Sequence, residues 1–114
     1  MRSEGLNRSA RLSGERAFSV LLRSRRKSRS ERFLVQSSLN GGAFARLGII
    51  VAKRVVRRAV DRSFLKRLVR ETFRRQQQEL AGFDVLVRPR RTLSRGEVNA
   101  ACEELRALLR AAVK

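Results

Sequence analysis

Apolar residues recur at helical spacing in three parts of the chain and at strand spacing in three others. The clearest helical pattern is near the end of the chain, where apolar residues return every three or four positions: Val98, Ala101, Cys102, Leu105, Leu108, Leu109 and Ala112. Ser94 and Glu97, three residues apart, match a capping box, so a last helix is predicted to start there. A shorter apolar cluster from Ala17 to Leu22 predicts a first helix over about residues 13–23.

Two short β-prone runs, Phe33–Ser38 and Leu47–Ala52, follow the first helix. Between them lies Asn40-Gly41, and Asn-Gly supplies the positive φ that a tight turn needs. The two runs are therefore predicted to pair as a hairpin with a few extra loop residues. A third strand is predicted over Phe83–Arg88, where the pattern alternates and Pro89 ends it.

The segment Arg57–Gln77 returns to helical spacing and connects the second strand to the third. The basic, serine-rich stretch Arg23–Arg32 is predicted to be a solvated loop. The element order is then αββαβα, which is typical of an α+β sandwich. With 114 residues, 42% of them hydrophobic, the chain is predicted to form a single domain, 1–114, that buries its own core.

The charge of the chain points to an acidic partner. It has 28 basic and 10 acidic residues and a formal net charge of +18. All but four of the basic residues are arginine, whose planar fork suits bidentate contact with phosphate and stacking on bases. The charge is concentrated in residues 1–32 and 53–75. Nucleic acid is therefore the leading predicted partner, ahead of a membrane surface.

Composition excludes several classes of protein. The sequence has no histidine, which excludes histidine-based acid–base catalysis, histidine triads and histidine-containing zinc fingers. A single cysteine, Cys102, lies on the apolar side of the last helix and is predicted to be a buried hydrophobe in a reducing cytoplasm. The longest apolar run, Ile49–Ala52, is far below the ~18 residues of a membrane span. We expect a cytoplasmic protein without a membrane segment.

The middle helix is predicted to present a stripe of cations. At about 100° per residue, one face holds Arg62, Lys66, Arg70 and Arg74, with Ser63 and Arg67 beside it. The opposite side holds apolar residues for the core, and Phe64 falls at its border. Arg67 and Glu71, at i and i+4, are expected to form one of the few offsetting pairs.

The basic surface extends into the loop that enters this helix, through Lys53, Arg54, Arg57 and Arg58. An ordinary solvated face would mix charges of both signs, so this arrangement favours a binding surface for phosphates. Asp61 is expected to favour the start of the helix electrostatically, and the other carboxylates to be surface partners of arginines. The sequence offers no convergent acid, base and nucleophile, and no catalytic or metal-ligating residue is assigned.

Residues 51–74 resemble the signature segment of the bacterial ribonuclease P protein family: VAKRVVRRAVDRSFLKRLVRETFR. The resemblance extends outward to Arg8, Arg11-Leu12 and Phe18 in the N-terminal part, and to Arg46-Leu47-Gly48 before the second strand. Nearly the whole chain is covered. The family also has this length, this element order and this basicity, and it implies a left-handed strand–helix–strand crossover through the arginine helix.

One position pair departs from the family pattern. The family has Arg-Asn-Arg where this sequence has Arg62-Ser63-Phe64. Ser63 keeps a polar group that is able to bond a phosphate, whereas Phe64 loses a charge and is placed to pack against the sheet.

The resemblance implies that the chain is the protein subunit of an endoribonuclease in which RNA performs the catalysis. That RNA removes the 5′ leader of precursor tRNA with magnesium ions, which it binds for the most part itself. The ten residues expected to contact the catalytic RNA are Lys53, Arg54, Arg57, Arg58, Arg62, Ser63, Lys66, Arg67, Arg70 and Arg74.

The resemblance also implies a cleft between the first helix and the sheet that binds the single-stranded leader. Single strands need aromatic platforms and cations. Phe18 and Phe33 are the expected platforms, with Arg11, Arg16 and Lys53 as cations, although core packing is the alternative role for both rings.

Two other classes remain open on composition alone. One is a structural RNA-binding protein of the ribosomal type, without a role in tRNA processing. The other is a DNA-binding or nucleoid protein that inserts the arginine helix in a major groove, although the start of that helix lacks the Asn or Gln that commonly reads adenine.

Overall fold

The computed structural model describes residues 15–113 and places three helices and four strands in them. In chain order they are α1 (Glu15–Leu22), β1 (Lys27–Arg29), β2 (Phe33–Leu39), β3 (Arg46–Ile49), α2 (Ala59–Arg75), β4 (Phe83–Pro89) and α3 (Val98–Ala112). The α+β class and the six predicted elements are confirmed. One strand, β1, was not predicted.

The strands form one mixed sheet in the order β1-β2-β4-β3. The predicted hairpin is therefore wrong, because β4 lies between β2 and β3 and pairs antiparallel with the first and parallel with the second. Gly41 does adopt a positive φ of 72°. The chain reverses there, but the connection crosses the end of β4, where the Asn40 amide donates to the Gly82 carbonyl at 2.9 Å. The Asn-Gly sequence predicts that the chain reverses direction, but it does not predict which strand pairs with β2.

β1 lies within the stretch that the sequence predicted as a loop. It pairs antiparallel with β2, with Lys27 opposite Gln36 and Arg29 opposite Leu34. Both basic side chains are exposed, and the strand is only three residues long. Short, charged strands are typical of protected sheet edges, and such a strand has no apolar alternation by which sequence could reveal it.

The two faces of the sheet are covered by different helices. On one face, α2 and α3 pack on Val35, Val85 and Val87 to form the main core. On the other face, α1 packs on β2 and β4, where Leu21 and Leu86 are fully buried. The chain is thus a three-layer α/sheet/α arrangement, and β3–α2–β4 is its parallel strand–helix–strand unit.

The start of α3 is braced by charge. The capping box of Ser94 and Glu97 is present, and a 3₁₀ turn, Arg95–Glu97, precedes the α-helix. Glu97 also accepts from Arg91 at 2.6 Å and from Arg32 at 2.9 Å, and Arg32 reaches Glu104 at 2.5 Å. These bonds attach α3 to the β1–β2 turn.

Candidate nucleic-acid interface

Helix α2 buries one side and exposes the other, as the periodicity predicted. Its buried residues are Leu65, Leu68, Val69, Thr72 and Phe73. Asp61 in the first turn, and Arg74 and Arg75 in the last turn, both complement the helix dipole. The helix therefore packs one side on the core and leaves its other positions half-buried or exposed.

The ten predicted RNA-binding residues form one continuous stretch of loop and helix, which we call the α2 surface. Arg62, Lys66 and Arg70 are half-buried at the flank of the helix. The other seven are exposed: Lys53, Arg54, Arg57, Arg58, Ser63, Arg67 and Arg74.

Few carboxylates offset this charge. Glu71 pairs with Arg74 at 2.7 Å and with Arg75 at 3.1 Å. The predicted pair of Arg67 with Glu71 is therefore wrong. Hydrogen bonding from Arg74 lowers the pKa of Glu71. Asp61 lies 4.0 Å from Arg58. Among residues 15–113, the cations of the α2 surface without a carboxylate partner are Lys53, Arg54, Arg57, Arg62, Lys66, Arg67 and Arg70.

Arg62 has a structural role that the sequence did not indicate. Its Nη1 donates to the main-chain oxygens of Val56 at 3.1 Å and Arg57 at 2.8 Å. Val56 is fully buried. The guanidinium thus fixes the loop against the first turn of α2, which holds the loop cations in a defined place relative to the helix.

The two residues that depart from the family pattern have different environments. Ser63 is exposed beside the cations. Phe64 is half-buried and packs against the main core, as its position at the border of the apolar stripe suggested. The ring therefore adds packing at a position where the resemblance leads us to expect a charge.

The second candidate region is the cleft predicted between α1 and the sheet, which we call the α1 cleft. Phe18 is half-buried there, packed with Leu21, Leu86 and Ile50. The predicted cations Arg16 and Lys53 are both exposed. Arg11 lies outside the described residues.

Phe33 does not belong to this cleft. Its side chain is fully buried in the main core, on the side of the sheet that faces α2 and α3. The prediction of a stacking role for Phe33 is wrong, and the alternative of core packing holds. Alternation within β2 decides the matter, because Phe33 shares its face with the buried Val35.

Arg88 was missed and lies on the α1 side of the sheet. It is paired across β2 and β4 with Leu34. Its Nη2 donates to Gln36 Oε1 at 3.1 Å, and Gln36 in turn donates to the carbonyl of Leu22 at the end of α1, also at 3.1 Å. Arg88 is half-buried, its Nε is buried without a hydrogen bond, and within residues 15–113 it has no carboxylate partner.

Partial burial of an arginine without a counter-ion lowers the stability of the fold, and a bound anion would remove that cost. The sequence signal was the alternation in β4, which puts Asp84, Leu86 and Arg88 on one face. That signal is informative only once α1 is known to cover the face.

The described residues suggest neither a metal centre nor a membrane segment. Over residues 15–113, no three His, Cys, Asp or Glu side chains are grouped so as to hold a metal ion. In the same range, no helix has the length and apolarity to cross a bilayer. Cys102 is a half-buried free thiol packed against the core.

Comparison with known proteins agrees with this geometry. Residues 6–113 match the family described as Ribonuclease P. A ribonuclease P protein component from Thioalkalivibrio sulfidiphilus is 43% identical over 84 residues, which cover 74% of this chain and 70% of that protein. One from Nitrosomonas eutropha is 34% identical over 111 residues, 96% of this chain and 92% of that protein.

Solved structures of such proteins have the same architecture. The RNase P protein from Thermotoga maritima in complex with 1-(4-fluorophenyl)-2-thiourea superposes with a TM-score of 0.73 at 31% identity, over 88% of this chain and 97% of that one. A mutant RNase P protein from Staphylococcus aureus gives a TM-score of 0.80 at 23% identity, over 91% and 88% of the two chains. The second likeness concerns the fold alone.

Proposed function

Because this chain belongs to the ribonuclease P protein family, and so is the protein subunit of a ribonucleoprotein that processes tRNA, we propose a role for each of its two surfaces. The α2 surface binds the catalytic RNA, and the α1 cleft binds the 5′ leader of precursor tRNA. The family membership sets aside the ribosomal-type and nucleoid alternatives.

The observation that supports the first role is the group of α2-surface cations without a carboxylate partner in residues 15–113. Such charges repel one another in the free protein, and RNA phosphates relieve that repulsion. The side chains of six of these seven also make no hydrogen bond within the described part of the chain, so their donors are available; Arg62 is the exception.

Catalysis in this proposal belongs to the RNA. Ribonuclease P generally uses magnesium, but the described residues have no group of ligands that fits such an ion. We therefore assign magnesium to the RNA, and to the protein the neutralisation of phosphates around it. Cations that reduce phosphate repulsion let the RNA and its substrate associate at lower magnesium concentration.

The α1 cleft has the two components that a single strand requires, an aromatic ring and cations. Phe18 is the ring, with part of its surface exposed. Arg16 and Lys53 are exposed cations, and Arg88 is a half-buried one with an unused Nε donor. A leader phosphate beside Arg88 would neutralise the positive charge of Arg88, which the uncharged Gln36 does not. We place this work in the cytoplasm, where a free Cys102 stays reduced.

Reconstitution tests the first role. The purified chain is added to a bacterial ribonuclease P RNA at low magnesium, and cleavage of precursor tRNA is measured. We expect strong stimulation, which Arg67→Ala with Arg70→Ala reduces. A control pair that removes the same charge elsewhere, Arg95→Ala with Arg110→Ala, should retain it. Equal losses in the two pairs would show that net charge and not the α2 surface matters.

Binding measurements test the second role. The ratio of affinities for leader-bearing and leaderless tRNA should fall in Phe18→Leu, which keeps an apolar contact but removes the stacking face. Val20→Ala, at an exposed position of the same helix, is the control. An unchanged ratio in Phe18→Leu would contradict the leader role of the cleft.

A further inference from the structure

Phe44 has an exposure that packing does not explain. In the part of the chain that the structure describes, five large hydrophobic residues are exposed, and Phe44 is the one aromatic among them, with 70% of its surface accessible. It lies in the loop between β2 and β3, which the two surfaces described above do not use.

Hydrogen bonds of the Asn40 side chain hold the loop that contains Phe44. Asn40 Nδ2 donates to the Phe44 carbonyl and to Asp84 Oδ1, each at 2.9 Å. Asn40 Oδ1 accepts from the Gly42 amide at 2.8 Å. The ring is therefore held outward by an ordered backbone, and little loop entropy is lost when something packs on it.

Arg46 provides a fixed cation next to this ring. Its Nε and Nη2 each donate to the buried Asp84 carboxylate at 2.7 Å, yet 39% of its side chain remains exposed. Phe44 and Arg46 line the same shallow depression of about 220 Å³. An aromatic face and a guanidinium plane side by side are the two groups on which nucleobases stack.

Arg46 faces the side of the sheet that holds the α1 cleft. Leu47, the next residue of β3, is in the main core, so Arg46 lies on the opposite face by alternation, and Phe44 in the preceding loop lines the same depression as Arg46. Just beyond the other end of β3, Ile50 packs in the cluster that contains Phe18. Edge strand β3 thus leads from the cleft to Phe44 over ~20 Å.

We infer that Phe44, with Arg46 beside it, is a second stacking platform for the 5′ leader, and that it binds a nucleotide farther along the leader than the nucleotide at Phe18 in the α1 cleft. Charge favours this occupant over a protein. A second copy of this chain would bring another +18 against the patch, whereas RNA brings compensating phosphates and stacking faces together. This inference rests on the leader role of the α1 cleft.

The test uses the reconstituted holoenzyme and a series of precursor tRNAs whose leaders are lengthened one nucleotide at a time. For wild type, affinity should rise in two stages as the leader first fills the cleft and then reaches Phe44. Phe44→Ala should abolish the second stage, with a loss of roughly fivefold to tenfold for long leaders and none for short ones. Phe44→Trp should keep or strengthen it.

Leu39→Ala is the matched control, since Leu39, at the end of β2 where the same loop begins, is equally exposed and lacks a stacking face. Equal losses in Phe44→Ala for all leaders would overturn the inference in favour of contact with the catalytic RNA. Unchanged affinity for every leader would overturn it altogether, as would a concentration-dependent dimer that Phe44→Ala disrupts. If wild type itself does not distinguish leader-bearing from leaderless tRNA, the proposed leader role of the cleft fails instead.

Discussion

Arg62 donates a hydrogen bond to the main-chain oxygen of Arg57 at 2.8 Å, across the junction of loop and helix. The helical periodicity puts Arg62 on the cationic stripe and Arg67 beside it without distinguishing their roles, but of the two only Arg62 has this bond. We expect Arg62→Ala to lower both stability, by about 1 kcal/mol, and RNA affinity. Arg67→Ala should lower RNA affinity alone and reduce the slope of its salt dependence by roughly one. Urea unfolding and binding at several salt concentrations measure these effects.

Replacing Arg88 is expected to affect protein stability and leader binding in opposite directions. Arg88→Leu removes a half-buried charge without a carboxylate partner in the described chain, so the free protein should keep or gain stability. Its discrimination for leader-bearing tRNA should fall, because the phosphate partner is lost. Denaturation midpoints and the leader affinity ratio give the two readings. A loss of stability with an unchanged ratio would assign Arg88 to the scaffold.

Asp84 holds the beginning of β3 and the preceding loop. It is 7% exposed and accepts from Arg46 and Asn40. Asp84→Asn should therefore lower the free energy of unfolding by about 1–3 kcal/mol, because Arg46 and Asn40 lose a charged acceptor. Glu71→Gln, which breaks exposed pairs, is the control and should change it by less than ~0.5 kcal/mol.

Glu97 makes stability depend on acidic pH. Hydrogen bonds from Arg91, from the Ser94 amide and from Arg32 hold the pKa of Glu97 well below its usual range. Burial opposes ionisation of Glu104, but bonds from Ser30 and Arg32 outweigh it and its pKa is lowered as well. A lowered pKa in the folded state means that this stability is present above the unfolded pKa of ~4.3 and is lost as pH falls below it.

We therefore expect Glu97→Gln to be less stable than wild type at neutral pH, and the difference to shrink as the solution is acidified below about pH 4. Thermal unfolding across a pH series measures this. A difference that stays constant with pH would mean that the carboxylate charge has no part in it.

Phe64 packs on the core at a position where the family resemblance leads us to expect an arginine. Phe64→Arg should lower the free energy of unfolding by about 1 kcal/mol, because the half-buried ring no longer packs on the core. Affinity for the catalytic RNA should stay equal or rise, since the change adds a cation to the α2 surface. Poorer RNA binding at full protein stability would contradict this expectation.

The helices could be predicted because each buries a stripe that the 3.6-residue period reveals, and the capping box marked the start of α3. The pairing of the strands could not. β4 separates β2 from β3, and the choice depends on which strand best fills the space between them, a property of the assembled core. β1 escaped prediction because its residues are polar on both faces and it is defined only by its bonds to β2.

The candidate site divides in the same way. The α2 surface followed from charge and period, which are local. The distinction between Phe18 and Phe33 depends on which face of the sheet each ring meets, and the roles of Arg62 and Arg88 depend on acceptors from other segments. Sequence alone does not show those acceptors.

The strand order also determines how much of the chain must be synthesised before the sheet can form. Residues of β2 and β3 leave the ribosome long before β4, yet they meet only through it, as the pairing of Leu34 with Arg88 illustrates. Contacts this distant in sequence slow folding, so the nascent chain stays open until most of it has been translated. A message broken before the codons for β4 would yield a polycation that attracts RNA without the shape to choose among RNAs.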